Sequence, residues 1–241
     1  MPRFFADENA VRGDDIVITG GDARHIGYSL RMKLGDSITF VREGMEYSCT
    51  ISAMTETDVT CHIDSISPSD CEPTIKLTLY QALPKSDKME LIIQKTAELG
   101  AYRIVPFISK RCVSRPDEKS AEKKLARWRK ISEEAAKQAG RGIIPEISPL
   151  LSFEEALRDM ESSEIKLICY ENGGSALSEA GIDSEKSVAV MIGSEGGFER
   201  TEVDMAAAAG AVPIWLGKRI LRCETCPIAV TSVIMSLSDN F

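Results

Sequence analysis

The sequence predicts an α/β protein in two parts: a small all-β domain over residues 1–70, then an α/β domain over residues 74–241 built on a mostly parallel sheet. Three observations carry this. Residues 16–19, 37–41, 47–51 and 59–63 are short alternating segments separated by Gly-Gly, Arg-Glu-Gly and Thr-Glu-Thr-Asp turns, the spacing of a small barrel or sandwich. From residue 74 onward, apolar strands alternate with helical patterns, which calls for a parallel sheet covered on both faces. Between the two, residues 65–73 carry the Ser, Pro and Asp of a linker.

Within the first part, residues 22–33 read as a helix with Asp22 as N-cap and Leu34-Gly35-Asp36 as its exit. In the second part, residues 75–83 form a strand and residues 88–99 a helix. Asp87 and Glu90 make a capping box there, Met89, Ile92, Ile93 and Ala97 a buried stripe, and Gly100 a stop. A strand over 104–108 precedes a long helix over 120–139, with Leu125, Trp128, Ile131 and Ala135 on one face and Gly140 at its end. Ser152 and Glu155 box the start of a helix that runs to about Met160. Strands over 165–170 and 188–192, an alanine-rich helix over 201–209 stopped by Gly210, and a strand over 212–216 follow. The last helix starts with Pro227 at its first position and runs to about Leu237.

Composition narrows the function. No segment has the continuous apolar length that spans a bilayer, and the first residues lack a signal-peptide core, so the expectation is a soluble, cytoplasmic protein with no membrane partner. Seven cysteines, odd in number and scattered, fit a reducing compartment rather than a disulfide framework. Only Cys223 and Cys226 form a CxxC pair, and with two histidines in the chain no metal site is expected. Both thiols read as packed bystanders.

A net charge of −8 argues against a globally basic nucleic-acid binder. Locally the balance reverses. Residues 110–141 hold eleven Lys or Arg against five Asp or Glu, a patch able to neutralise phosphates or simply to solvate a helix.

The chemistry-bearing stretch lies late. An apolar strand runs into Gly193-Ser194-Glu195-Gly196-Gly197, where backbone approaches something closely, and one β/α unit later Leu216-Gly217 leads to Arg219, Arg222 and Glu224. Both stretches fall beyond strand carboxyl ends, where open α/β sheets bind ligands, although two ordinary tight connections would read the same way. There is no G-x-x-x-x-G-K-[ST], and no G-x-G-x-x-G after the first strand, which disfavours P-loop and NAD-type folds.

Six segments in register resemble the 16S ribosomal RNA uracil-N3 methyltransferases of the SPOUT superfamily. They are Arg3-Phe4-Phe5; His25 through Arg31 to Asp36; Lys85 with Asp87-Lys88-Met89-Glu90 and Gln94 to Gly100; Arg127-Trp128 with Glu133 to Gln138; Ile192 to Phe198; and Leu216-Gly217 through Arg219-Ile220-Leu221-Arg222 to Glu224-Thr225. The resemblance implies an N-terminal PUA-like barrel for RNA and a C-terminal trefoil knot that forms the S-adenosyl-L-methionine pocket. It also implies a homodimer with the active site near the subunit interface, no metal, and ribosomal RNA or the small ribosomal subunit as partner. The chain departs from the family's pattern at Ser194, where proline is usual, and at Cys223 and Cys226, where Thr-Glu-Thr-Ala is usual around Glu224-Thr225.

Methyl transfer from a sulfonium needs alignment and a deprotonated acceptor nitrogen more than covalent help. On the family reading the cofactor pocket is therefore backbone and apolar: Ile192, Gly193, Gly196, Gly197, Leu216, Gly217, Ile220 and Leu221, with Tyr170 and Glu171 at the preceding strand end. Arg222 is expected to stabilise charge developing on uracil, and Glu195 or Glu224 to accept the proton or orient Arg222. Each carboxylate serves equally well as a loop cap. Arg3, Arg24, Arg31, Lys85, Lys88, Arg111, Arg115, Arg127 and Arg141 are the candidates to hold an RNA backbone around an unstacked base. Two other classes stay open: a non-catalytic RNA-binding or ribosome-assembly factor, and a nucleotide-dependent metabolic enzyme.

Overall fold

The computed structural model describes residues 2–183 and 186–241. The chain forms two compact units. One holds the chain up to Glu72 together with Ala136–Ile143, and the other holds Pro73–Ala135 and Ile144–Phe241.

The first unit is a six-stranded sheet: β1 (Arg3–Phe5), β2 (Val11–Arg12), β3 (Asp15–Thr19), β4 (Ser37–Arg42), β5 (Met45–Met54) and β6 (Asp58–Pro68). Its order is β1-β4-β5-β6-β3-β2, parallel between β1 and β4 and antiparallel elsewhere. Register shifts at Ser48/Cys49 and Ile51/Ala53 interrupt the β5–β6 ladder, and such irregularities bend and twist a sheet. Alternation puts Ile16 and Ile18 of β3, and Cys49 and Ile51 of β5, into one core with Phe4, Ile38, Phe40, Val59 and Cys61. The strand β6 continues to Pro68, so half of the expected linker is sheet.

The helix expected over 22–33 is shorter and begins earlier. It starts as α1 (Gly20–Arg24), with Thr19 rather than Asp22 as N-cap, and widens into a π turn over His25–Ser29. The chain leaves it through Leu30 N–H to His25 O at 2.9 Å, Met32 N–H to Ile26 O at 3.1 Å and a left-handed Arg31 at φ 53°. Gly27 within the run and only Ala23 and Ile26 buried explain why twelve helical residues are not sustained.

The second unit carries β7 (Lys76–Ala82), α2 (Lys88–Glu98), β8 (Arg103–Ile108), α3 (Glu118–Gln138), β9 (Glu146–Ile147), β10 (Leu151–Ser152), α4 (Phe153–Met160), β11 (Ile165–Cys169), β12 (Ser175–Ala176), β13 (Ser187–Ile192), α5 (Arg200–Ala208), β14 (Val212–Trp215) and α6 (Thr225–Leu237). Every pairing described in its sheet is parallel, in the order β10-β8-β7-β13-β11-β14-β12 with β9 also on β8. The two central strands are buried nearly throughout, β13 from Val188 to Ile192, which is why they read as continuous apolar runs. Met89, Ile92 and Ile93 of α2 and Val230, Ile234 and Met235 of α6 join that core.

Two end signals differ from expectation. Asp87 sits at φ −92°, ψ 12° and makes no side-chain cap, so the box with Glu90 does not form; Glu90 instead takes Arg127 at 2.7 Å. Pro227 falls at the third rather than the first position of α6, which is tolerated because no intrahelical acceptor awaits an N–H in a first turn. The Ser152–Glu155 box does form, with Glu155 N–H on Ser152 Oγ at 3.2 Å and Ser152 N–H on Glu155 Oε2 at 2.8 Å. Ser152→Ala is therefore expected to cost about 1 kcal/mol in urea denaturation. Asp87→Ala, having no cap to lose, should change stability by less than about 0.5 kcal/mol.

Candidate active site

Three neighbouring parallel strands, β13, β11 and β14, end on the same side of the sheet and open into one cavity of about 660 Å³. From β11 come Tyr170 and Glu171; from β13, Ile192 and the turn Gly193 to Gly197; from β14, Trp215 and the loop that runs through Leu216, Gly217, Ile220, Leu221 and Arg222 to Cys223. The ten residues expected around a cofactor thus share one wall, with Glu195 and Arg222 beside them. Glu224 reaches this wall through Lys88.

The glycines are required by contact. A Cβ on Gly193 would stand 2.9 Å from Gly197 Cα, and one on Gly197, at φ 63°, 2.9 Å from Glu171 Oε1. Gly197 N–H closes the turn on Ser194 O at 2.9 Å, and the next residue, Phe198, is buried and stacked on Phe107 with ring centroids 6.3 Å apart. Buried Gln81 donates from Nε2 to Gly193 O at 3.2 Å, and Arg111 from Nη1 to Gly196 O at 2.8 Å. Arg111, expected on RNA, therefore also braces the turn.

The electrostatic centre is a lysine. Lys88 Nζ lies 3.1 Å from Glu195 Oε1 and 3.1 Å from Glu224 Oε2, which places this residue, expected on an RNA backbone, in the cavity wall. Burial pushes the Glu195 carboxyl up, but its own backbone N–H, Lys88 and the Lys85 N–H outweigh it, and the group is held below the usual carboxylate range. For Glu224, too, burial raises the pKa while its own N–H, Lys88 and Cys223 bring the net below normal. The Cys223 thiol is pushed up to about 12, by burial first and then by its hydrogen bond to Glu224 at 3.2 Å. A hydrogen bond with Cys226 and burial together hold the Cys169 thiol well above its ordinary value.

These shifts have a sign. A carboxyl with a depressed folded pKa adds stability that is present above the unfolded value of about 4.3 and lost as pH falls through the folded value. The melting-temperature difference between the protein and Glu224→Gln is accordingly expected to hold constant from pH 8 to 5. Below about pH 4 it should shrink. A difference that grows on acidification would contradict the ionised arrangement.

The remaining cations divide. Arg24, Arg31, Lys85, Arg115 and Arg127 are exposed; Arg115 donates to Ser109 O and Lys110 O, both at 3.2 Å. Arg3 is partly buried on Glu46 at 2.8 Å. Arg141 is 3% exposed, its guanidinium 2.6 Å from Glu72, so its charge serves the fold and not an RNA backbone. Sequence reading missed Trp215, Lys218, Gln81 and the place of Lys88. An aromatic at a strand's carboxyl end was the available signal for Trp215; the others depend on partners far along the chain.

Comparison with known proteins places this geometry in a family. Residues 71–235 match the model of the RNA methyltransferase domain. The chain is 35% identical, over 97% of its length and 96% of the other, to the ribosomal RNA small subunit methyltransferase E of Bacillus subtilis. Its structure is similar to that of the Neisseria gonorrhoeae ribosomal RNA small subunit methyltransferase E bound to S-adenosyl methionine, with TM-score 0.88, 32% identity, and 99% and 98% of the two chains covered. A putative methyltransferase from Legionella pneumophila in complex with the same cofactor gives TM-score 0.86 at 29% identity, covering 98% of each chain. The chain, matched along nearly its whole length, belongs to the RNA methyltransferase family that includes the ribosomal RNA small subunit methyltransferases E.

Proposed function

We propose that the chain binds S-adenosylmethionine in the cavity at the ends of β11, β13 and β14 and methylates N3 of a uridine in small-subunit ribosomal RNA. The observation that carries the reading is the glycine turn, whose backbone packs too closely for any side chain at Gly193, facing an apolar wall of Ile192, Leu216 and Leu221. A cavity of this size and lining suits a small organic cofactor. When bound, S-adenosylmethionine supplies an electrophilic methyl group on a sulfonium. The chain's own residues seat it and hold the acceptor ring in its anionic form.

Arg222 is the residue for that last task. It lines the cavity, is exposed, and has no ion-pair partner among the described residues, which leaves its guanidinium for the carbonyl oxygens of the base. Glu195 and Glu224, ionised and engaged by Lys88, are poor proton acceptors, so the N3 proton passes to water. Their negative charge suits the neighbourhood of a sulfonium. Arg24, Arg31, Lys85, Arg111, Arg115 and Arg127 hold the RNA backbone in this reading.

The finer architecture belongs to the same proposal. The interrupted ladders of the first sheet support a PUA-like barrel, and the entry of β13 between β7 and β11 supports a knotted C-terminal segment. Exposed Leu91 on α2 and Val233 and Leu237 on α6 support a homodimer.

Calorimetric titration with S-adenosylmethionine, followed by methyl transfer to unmodified small-subunit RNA and mass mapping of the product base, tests the reading. Saturable binding and a 3-methyluridine product are expected, with Arg222→Ala lowering kcat by about 10²-fold and leaving cofactor affinity in place. Binding without transfer would support an assembly factor instead.

A further inference from the structure

Three stretches of chain converge on one ammonium group. Lys88 opens α2; Glu195 stands in the glycine turn; Glu224 precedes α6. Nζ of Lys88 is 3.1 Å from each carboxylate and 3.7 Å from Cys223 Sγ, while the Lys85 N–H donates to both Glu195 oxygens at 3.1 and 3.3 Å. Two carboxylates so close to one atom repel unless that atom carries positive charge. Lys88, Glu195 and Cys223 are themselves cavity wall.

We propose that Lys88 is the positioning residue of the pocket: its charge binds the glycine turn to the final loop and holds both in the arrangement that receives the ligand. Lys88 acts through Glu195 and Glu224 and needs no contact with the reacting atoms. Partly exposed ion pairs add little to global stability, so the expected signature is a local loosening and a loss of affinity in a protein that still melts nearly as before. The affinity arm rests on the S-adenosylmethionine reading above; the local arm does not.

The test uses the full chain as wild type, Lys88→Met, Lys88→Arg and Lys88→Met/Glu224→Gln. Amide hydrogen exchange in ligand-free protein is expected to quicken over residues 193–198 and 216–224 in Lys88→Met. Titration with S-adenosylmethionine at pH 8 should show that variant weakened by on the order of 10-fold or more, with Lys88→Arg in between. The groups facing Lys88 are Glu195, Glu224 and the Cys223 thiol, and Glu171 and Arg222 share the cavity. Removing the ammonium raises the pKa of one of the crowded carboxylates, so the deficit relative to wild type should narrow as pH falls from 8 toward the carboxylate range. The double variant, with one negative charge fewer, should recover most of the affinity at pH 8.

Unchanged exchange in Lys88→Met, or a binding deficit that is the same at every pH and untouched by Glu224→Gln, overturns the proposal. A wild type that does not bind S-adenosylmethionine sinks the cofactor reading instead, and the exchange result still decides the role of Lys88. Should Lys88→Met fail to fold, Lys88→Gln, which keeps donors without charge, carries the same comparisons.

Discussion

Gly193→Ala is expected to cost the protein its cofactor site. The added methyl would stand 2.9 Å from Gly197 Cα, 3.0 Å from its carbonyl carbon and 3.3 Å from its oxygen, all main chain in the same closed turn. Backbone closed by the Gly197 N–H to Ser194 O bond, and anchored just beyond by buried Phe198, has no room to yield. Overpacking of this kind costs about 1–3 kcal/mol. Falling on the wall of the cavity, it translates into a loss of S-adenosylmethionine affinity of roughly 10- to 100-fold. Gly197→Ala should come second, since its φ of 63° strains a side chain but its nearest neighbour, Glu171, is an exposed carboxylate that can swing away. Gly196→Ala should be the mildest: it has no left-handed φ to strain, and its methyl meets Arg111 Cβ at 3.0 Å and Cδ at 3.4 Å, with that residue's carbonyl oxygen at an ordinary 3.6 Å. Calorimetric affinities for the three variants check the ranking, and a Gly193→Ala protein that binds like wild type would refute the turn's role.

The largest expected loss of stability lies elsewhere, at Glu72→Ala. In the first unit Glu72 Oε1 accepts Arg141 Nε at 3.2 Å and the N–H groups of Gly142 and Ile143 at 2.7 and 3.1 Å, while Oε2 accepts Arg141 Nη2 at 2.6 Å. The Arg141 side chain is 4% exposed. Removing the acid takes two hydrogen bonds and a charge partner from a buried guanidinium and the acceptor from two N–H groups, a change worth about 3–5 kcal/mol. A melting temperature lower by roughly 10 °C or more is expected by calorimetry. Glu72→Gln, which keeps acceptor oxygen for the N–H groups but not the charge, should fall between. A drop of only a degree or two in Glu72→Ala would contradict this weight for the Glu72 carboxylate.

How far the sequence reveals this molecule follows from the range of each interaction. Strands such as β7 and β13 are legible because burial on both faces leaves apolar runs that depend on no partner's identity, and the Ser152–Glu155 box because its two bonds span three residues. The two-residue strands β2, β9, β10 and β12 and the three-residue β1 escape because they are too short to show a period. The glycine turn could be located but not explained: its tightness is a contact between Gly193 and Gly197 that only three-dimensional closure creates. Lys88 is the clearest failure. It reads as one more cation at the start of a helix, whereas Cys223, at the far side of its carboxylate cluster, is 135 residues away. Arg141 errs in the opposite direction, a cation in a basic run that is in fact enclosed by Glu72.

The strand order of the second unit also sets a timetable for the chain as it is made. Leu77 of β7 has Val188 of β13 as its register partner, and β11 waits for β14 as well as β13. At ordinary rates of synthesis about ten seconds separate the emergence of β7 from that of β13. During that interval a long apolar strand edge has no neighbour on one side, a hazard of parallel sheets with distant pairings. A small-molecule ligand cannot relieve it, because the cavity takes further walls from Trp215 to Cys226, which emerge later than β13 itself. The half-made protein thus passes through this interval without help from its own ligand.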